Sequence, residues 1–122
     1  MDSDNRGGTG RHVPKPWGYE IIWAHTEKYA GKILHISAGA SLSLQYHRIK
    51  DESIYVMSGR IRLQLGERRV VLGPGEAARI TPNLVHRIEA LEDSDVFEVS
   101  SAELDDVVRI DDLYGRQGTT AP

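Results

Sequence analysis

The stretch Gly39 to Gly59, GASLSLQYHRIKDESIYVMSG, sets a Gln, a His and a Glu at positions 45, 47 and 52 between two glycines. Gln45 and His47 are two residues apart, so on an extended strand their side chains leave from the same face. The polar HRIKD segment can carry the chain round to a neighbouring strand, from which Glu52 rejoins them. Downstream, TPNLVHRIE brings His86 at the opening of another short alternating run. A Gln oxygen, two imidazoles and one carboxylate form a mixed N/O set. It suits zinc, iron, nickel or manganese, and suits copper(I) or an iron–sulfur cluster poorly.

Working outward, Ser41, Ser43, Gln45 and His47 alternate against Leu42, Leu44 and Tyr46. Their polar face meets either solvent or a wet cavity, and the ligand frame argues for the cavity. Glu52 alternates with Ile54 and Val56, which supply an apolar floor beneath it. Trp17 to Trp23, Lys32 to Ser37, Arg60 to Leu65 and Val96 to Ser100 read as further strands, rich in β-branched and aromatic residues. In the last, Glu98 alternates against Phe97 and Val99, so it points either into the same interior or out from an edge. Many short strands with frequent turn signals and no long helical period predict an all-β barrel or double-sheet jelly roll. Residues 1–13 read as a flexible arm, 14–116 as the barrel with a covering segment from 102, and 117–122 as a fraying tail.

A lone His on a strand is more often a surface or packed residue than a ligand. The frame changes that balance: Gly39, five residues, Gln45-x-His47, four residues, Glu52, six residues, Gly59, then Pro82-x3-His86. It resembles the cupin family, whose first motif reads Gly-x5-His-x-His-x3-4-Glu-x6-Gly and whose second supplies one more His. KPWGYE at 15–20, LSLQYH at 42–47, VMSG at 56–59, HRIE at 86–89 and DDVVRIDDLYGR at 105–116 are similar to the RPWG, LSLQMH, VVSG, HRLE and DIVRFEDRYGR segments of type II mannose-6-phosphate isomerases.

That resemblance implies a cupin-type double-stranded β-helix holding one divalent ion per chain. Zinc stands first, with manganese, iron, nickel or cobalt as alternatives, and the ligands are Gln45, His47, Glu52 and His86. It also implies aldose–ketose isomerisation of a phosphorylated sugar through an enediolate held on the metal. Lys50 and Glu98 would be the catalytic pair, and Arg48 and Arg87 would bind the substrate at the cavity mouth beside Lys50. Two departures from the isomerase pattern stand out. Residues 47–53 read HRIKDES, without the isomerases' run of extra histidines, and Lys50 replaces their Arg. Lys keeps the charge but loses the bidentate fork. Two other readings therefore stand beside isomerisation: a binding module without chemistry, and an iron-dependent oxygenase, against which the neutral oxygen of Gln45 speaks.

At 122 residues the chain is one domain, large enough to form a core without staples. It has no cysteine, so disulfides and thiolate metal sites are excluded, which fits a reducing cytoplasmic setting. Net charge is −3 and no basic cluster with interleaved aromatics occurs, which argues against nucleic acid as a partner. No apolar run approaches membrane-spanning length. Trp17, Trp23, Leu42, Leu44, Tyr46 and Tyr55 are expected on outward faces, a patch large enough to predict a homodimer.

Overall fold

The computed structural model describes residues 9–115 and the strand pair at 118 and 119; residues 1–8 of the arm, and 116, 117 and 120–122 toward the tail, lie outside the described residues. Among the described residues twelve strands follow one another: β1 (Arg11–Lys15), β2 (Gly18–His25), β3 (Ala30–Ile36), β4 (Leu44–Tyr46), β5 (Glu52–Ser58), β6 (Ile61–Leu65), β7 (Arg68–Leu72), β8 (Ala77–Ile80), β9 (His86–Ala90), β10 (Ser94–Ser100), β11 (Val108–Asp111) and β12 (Gly118–Thr119). They form two six-stranded sheets, ordered β1-β2-β3-β10-β5-β8 and β12-β11-β4-β9-β6-β7. Every pairing is antiparallel. This is the expected all-β double-sheet jelly roll.

The inner faces change character along their length, and that change creates the site. On β3 the inward positions run Lys32, Leu34, Ile36; on β5, Glu52, Ile54, Val56; on β9, His86, Ile88, Ala90; on β10, Glu98, Val96, Ser94. One end of the barrel is thus a close-packed aliphatic core, joined by Ile61 and Leu63 of β6 and Ile80 of β8. The other end gathers buried charged groups. Burying each aliphatic side chain favours folding by about 1.5–3 kcal/mol, so the apolar half anchors the strands that hold the polar half. The β5–β6 turn needs Gly59: its φ is +83°, and a Cβ there would lie 2.3 Å from the carbonyl oxygen of Asp93.

Three expectations change. The arm is shorter than residues 1–13, because Arg11–Lys15 pairs with β2 as an edge strand, where Pro14 is tolerated. Part of the tail pairs too, Gly118–Thr119 lying along Val108–Arg109. Of the residues expected to face outward, Trp17 is buried and lines the interior with Leu42.

Leu42 turns inward because the alternation around β4 is broken. Ser41 bridges Glu89, whereas Gln45 pairs with His86, a register that has slipped by one residue. Such a bulge re-aims the side chains beyond it. Leu42 and Gln45 consequently both face the interior, which uniform alternation forbids.

Candidate metal centre

His47, Glu52 and His86 converge inside the polar end of the barrel, with one ligand-competent atom from each lying within 4.8 Å of the others. All three are buried. His86 opens β9 directly beside Gln45 of β4, and Gln45 in turn pairs with Arg109 of β11, so the three adjacent strands present a row of polar groups to one cavity. Glu52 reaches the cavity from the opposite sheet at the start of β5. The cavity has a free volume of about 60 Å³, room for an ion with several water molecules.

Second contacts orient the ligands. His47 Nδ1 lies 2.5 Å from the carbonyl oxygen of Asp106, and His86 Nδ1 lies 2.9 Å from that of Leu84. A carbonyl can only accept, so both rings carry hydrogen on Nδ1 and turn Nε2 toward the cavity. His47 Nε2 is buried without a hydrogen bond although Glu52 Oε1 is 2.7 Å away. His86 Nε2 lies 3.8 Å from the same oxygen. Two lone-pair atoms at such a separation call for a proton or a cation, and ligands of one zinc-like ion stand about 3 Å apart. Gln45 Nε2 donates to Ser43 Oγ at 3.0 Å, which leaves its amide oxygen for the cavity. The donor set therefore fits a divalent ion. Burial also lowers the His86 pKa and favours the neutral, ligating ring.

Asn83 explains how His86 arrives there. It takes a left-handed conformation with φ of 68°, which Asn tolerates better than most residues, and its backbone N–H donates to the His47 carbonyl at 2.6 Å. The two ligand-bearing loops are thus tied together.

Beside the ligands runs a chain of buried charges. Lys50 Nζ lies 2.9 Å from Glu98 Oε2 and 4.0 Å from Glu52 Oε1, so one ammonium serves two carboxylates. Burial acts to lower the Lys50 pKa, but Glu98 and Glu52 outweigh it and push it up, keeping the ammonium charged. For Glu52, the cost of burial is overcome chiefly by the charge of Lys50, and its carboxyl is held far below the usual range. Glu98 moves the other way, pushed up by burial and by the charge of Glu52. The two shifts make Glu52 the carboxyl that favours the anion and Glu98 the one that more readily holds a proton. Farther along, Glu20 is 3.3 Å from Lys32 and 3.8 Å from Lys15.

Four of the eight residues singled out from sequence line the cavity as metal-competent groups, Gln45, His47, Glu52 and His86, and two more, Lys50 and Glu98, line it as a charged pair. The alternatives for Glu98 resolve to the interior. Lys50 lies inside the cavity, 4% exposed, and not at its mouth. Arg48 and Arg87 are not among the residues that line this cavity. Arg48 is exposed on the loop after His47, and Arg87, whose neighbours His86 and Ile88 point inward, lies on the outer face, donating to the Leu42 and Asp111 carbonyls. Strand alternation puts residue 87 opposite residue 86. The cations that do line the cavity with Lys50 are Lys15, Lys32 and Arg109. Sequence reading passed over all three; the alternation of Lys32 with Leu34 and Ile36 was the available signal for one of them.

Residues 32–100 match the family model described as Cupin domain. The chain is a cupin. It is 36% identical over 112 residues to mannose-1-phosphate guanylyltransferase ManC of Salmonella typhimurium, covering 87% of this cupin and 23% of that protein. It is 31% identical over 126 residues to alginate biosynthesis protein AlgA of Pseudomonas putida, covering 98% of this cupin and 26% of the relative. This cupin thus spans about a quarter of the length of these curated relatives. Among solved structures it resembles KdgF from Halomonas sp., with a TM-score of 0.67 and 27% identity over 72% of this chain and 81% of that one.

Proposed function

We propose that this cupin is a metal-dependent isomerase of a phosphorylated sugar, interconverting aldose and ketose. The observation that carries this reading is the juxtaposition of a three-residue His/Glu ligand cluster with a buried Lys50–Glu98 pair in one small cavity. Gln45, His47, Glu52 and His86 would hold one divalent ion, zinc foremost. When bound, such an ion supplies Lewis-acid polarisation of the substrate carbonyl.

The chain's own residues carry the proton. Glu98, with its raised pKa, exchanges a proton between the two substrate carbons, and Lys50 holds its carboxylate in place and stabilises developing negative charge. Glu52 stays ionised and does not compete for that proton. Because Arg48 and Arg87 lie away from the cavity, the substrate's phosphate is met by Arg109, Lys32 and Lys15, which with Lys50 give four cationic linings against the three carboxylates Glu20, Glu52 and Glu98. Trp17, Leu104 and Val107 close the cavity with apolar surface and limit water.

The same reading includes a cytoplasmic homodimer. Ile21, Ile33, Phe97, Tyr55 and Ala77 are successive cross-strand partners over five strands of one sheet, on the face turned away from the core. Trp23 and Val99 extend this apolar face, both more than half exposed. A second copy is the proposed cover.

A binding module without chemistry is the second reading, favoured by the absence of the isomerases' extra histidines after His47 and by Lys50 in place of their Arg. The test follows ketose phosphate formation from mannose 6-phosphate and a panel of other aldose phosphates, anaerobically, with zinc, manganese, cobalt or nickel supplied. Turnover that depends on metal and falls on the order of 10²-fold in Glu98→Gln supports isomerisation. No turnover across the panel in metal-loaded protein leaves the binding module as the function.

A further inference from the structure

Asp106 lies in the DDVVRIDDLYGR segment but is not one of the candidate site residues, yet it touches the metal-site loop at four points. Its carbonyl oxygen accepts the His47 Nδ1 hydrogen bond at 2.5 Å. Its carboxylate accepts the backbone N–H groups of Arg48 at 3.1 Å, Ile49 at 2.7 Å and Lys50 at 2.9 Å. Three consecutive peptide N–H groups converging on one carboxylate form an anion-holding concavity, and here the anion is supplied by the chain itself. The loop's far end is tied to the same segment, with Asp51 N donating to Ser101 Oγ and Ser101 N donating to the Asp51 carbonyl, each at 3.0 Å. Between these ties, Leu104 and Val107 line the cavity.

Residues 101–107 are therefore more than a cover. The loop they hold carries His47 at its start, Lys50 in its middle and Glu52 at its end, so one residue meets a ligand through its carbonyl and the backbone of the Lys that serves Glu98 through its carboxylate. We propose that Asp106 is the positioning residue of this cupin's metal site, aiming His47 Nε2 through its backbone carbonyl and fixing the Lys50 backbone through its side chain. This rests on the metal-site reading given above. Neither a surface cap nor a packing residue needs both contacts, because either alone would hold the segment down.

The experiment measures divalent-ion affinity, using zinc in competition with a chromophoric chelator, for the wild type, Asp106→Ala, Asp106→Asn and Ser101→Ala. Alongside, nitrogen NMR reports the His47 tautomer in metal-free protein. Removing a partner that orients a ligand typically costs 10–100-fold in metal affinity. Asp106→Ala is expected to show a loss of that size and a His47 ring divided between tautomers. Asp106→Asn retains one acceptor oxygen and is expected to fall between Ala and wild type. Ser101→Ala, which loosens the loop without contacting His47, is expected to lower thermal stability while leaving affinity within about 2-fold. Wild-type affinity and a single tautomer in both Asp106 variants overturn the proposal, as does an equal loss of affinity in Ser101→Ala. If Asp106→Ala does not fold, Asp106→Asn decides the matter alone. A wild-type protein that takes up no zinc defeats the metal-site reading itself, and the proposal with it.

Discussion

Removing the Lys50 ammonium is the sharpest perturbation the buried charges allow. At an effective dielectric near 20, its 2.9 Å contact with Glu98 and 4.0 Å contact with Glu52 correspond to about 6 and about 4 kcal/mol of attraction. Most of that offsets the cost of taking three charges from water. Lys50→Met keeps the volume and leaves two buried carboxyls facing each other, and breaking a buried pair by deleting one partner costs about 3–5 kcal/mol. Metal-free Lys50→Met should therefore unfold some 10–15 °C below wild type at neutral pH. The pH dependence has a definite sign. The Glu98 pKa is already raised by burial and by Glu52, and without Lys50 it rises further above its unfolded value. A carboxyl with a raised folded pKa binds protons better in the native state, so stability falls as pH climbs from the unfolded pKa of about 4.3 through the folded one. Denaturant unfolding of metal-free protein at pH 5 and pH 7.5 should show the variant's deficit shrinking at the lower pH. Adding Glu98→Gln to Lys50→Met should recover at least half of the deficit at pH 7.5. A cost below 1 kcal/mol at pH 7.5, or no recovery in the double variant, would refute the shared-ammonium account.

Gly59→Ala forces a Cβ against the Asp93 carbonyl at a positive φ, and should destabilise the protein by about 2 kcal/mol or more, measured by denaturant midpoint. Arg109→Met should weaken binding of inorganic phosphate to metal-loaded protein at least 10-fold in a calorimetric titration, whereas Arg48→Ala and Arg87→Ala should leave it within 2-fold; equal losses in all three would return phosphate recognition to the outer arginines. Tyr55→Arg with Phe97→Glu should convert a dimer to monomer in light scattering, and a wild type that is itself monomeric at micromolar concentration defeats the proposed dimer face.

How much of this was legible in the sequence depends on whether a signal was local. The Gly39 to Gly59 frame marked the strand–loop–strand unit that carries two of the clustered ligands, because ligand spacing and turn glycines lie within one short stretch. The fold class was equally readable from period-two alternation with β-branched residues. The bulge between Ser41 and Gln45 was not readable, since uniform alternation describes those residues equally well and only the pairing with β9 reveals the slip. That slip is why Leu42 was assigned to the wrong face. The outward placement of Arg87 was readable from alternation, which sends the neighbours of His86 to the opposite face, but nearness in sequence to His86 outweighed it. Arg109 and Asp106 lie more than fifty residues from the loop they serve, and no pattern within their own segment points to it.

The polar end of the barrel also clarifies the substitution of Lys for Arg at position 50. A guanidinium is suited to gripping one planar anion with a fork, whereas a compact ammonium can be shared between two carboxylates that do not lie in a common plane. Here the side chain stands between Glu52 and Glu98, and its backbone N–H is held by Asp106. Lys50 is thus enclosed by acceptors contributed from β5, from β10 and from the covering segment, with 4% of its surface exposed. A residue so placed is poorly suited to meet a phosphate entering from solvent and well suited to hold apart the protonation states of two carboxyls. On the proposed isomerase reading, the substitution would bear on proton transfer more than on substrate capture, and the task of meeting an anion would pass to the other cations along the wall.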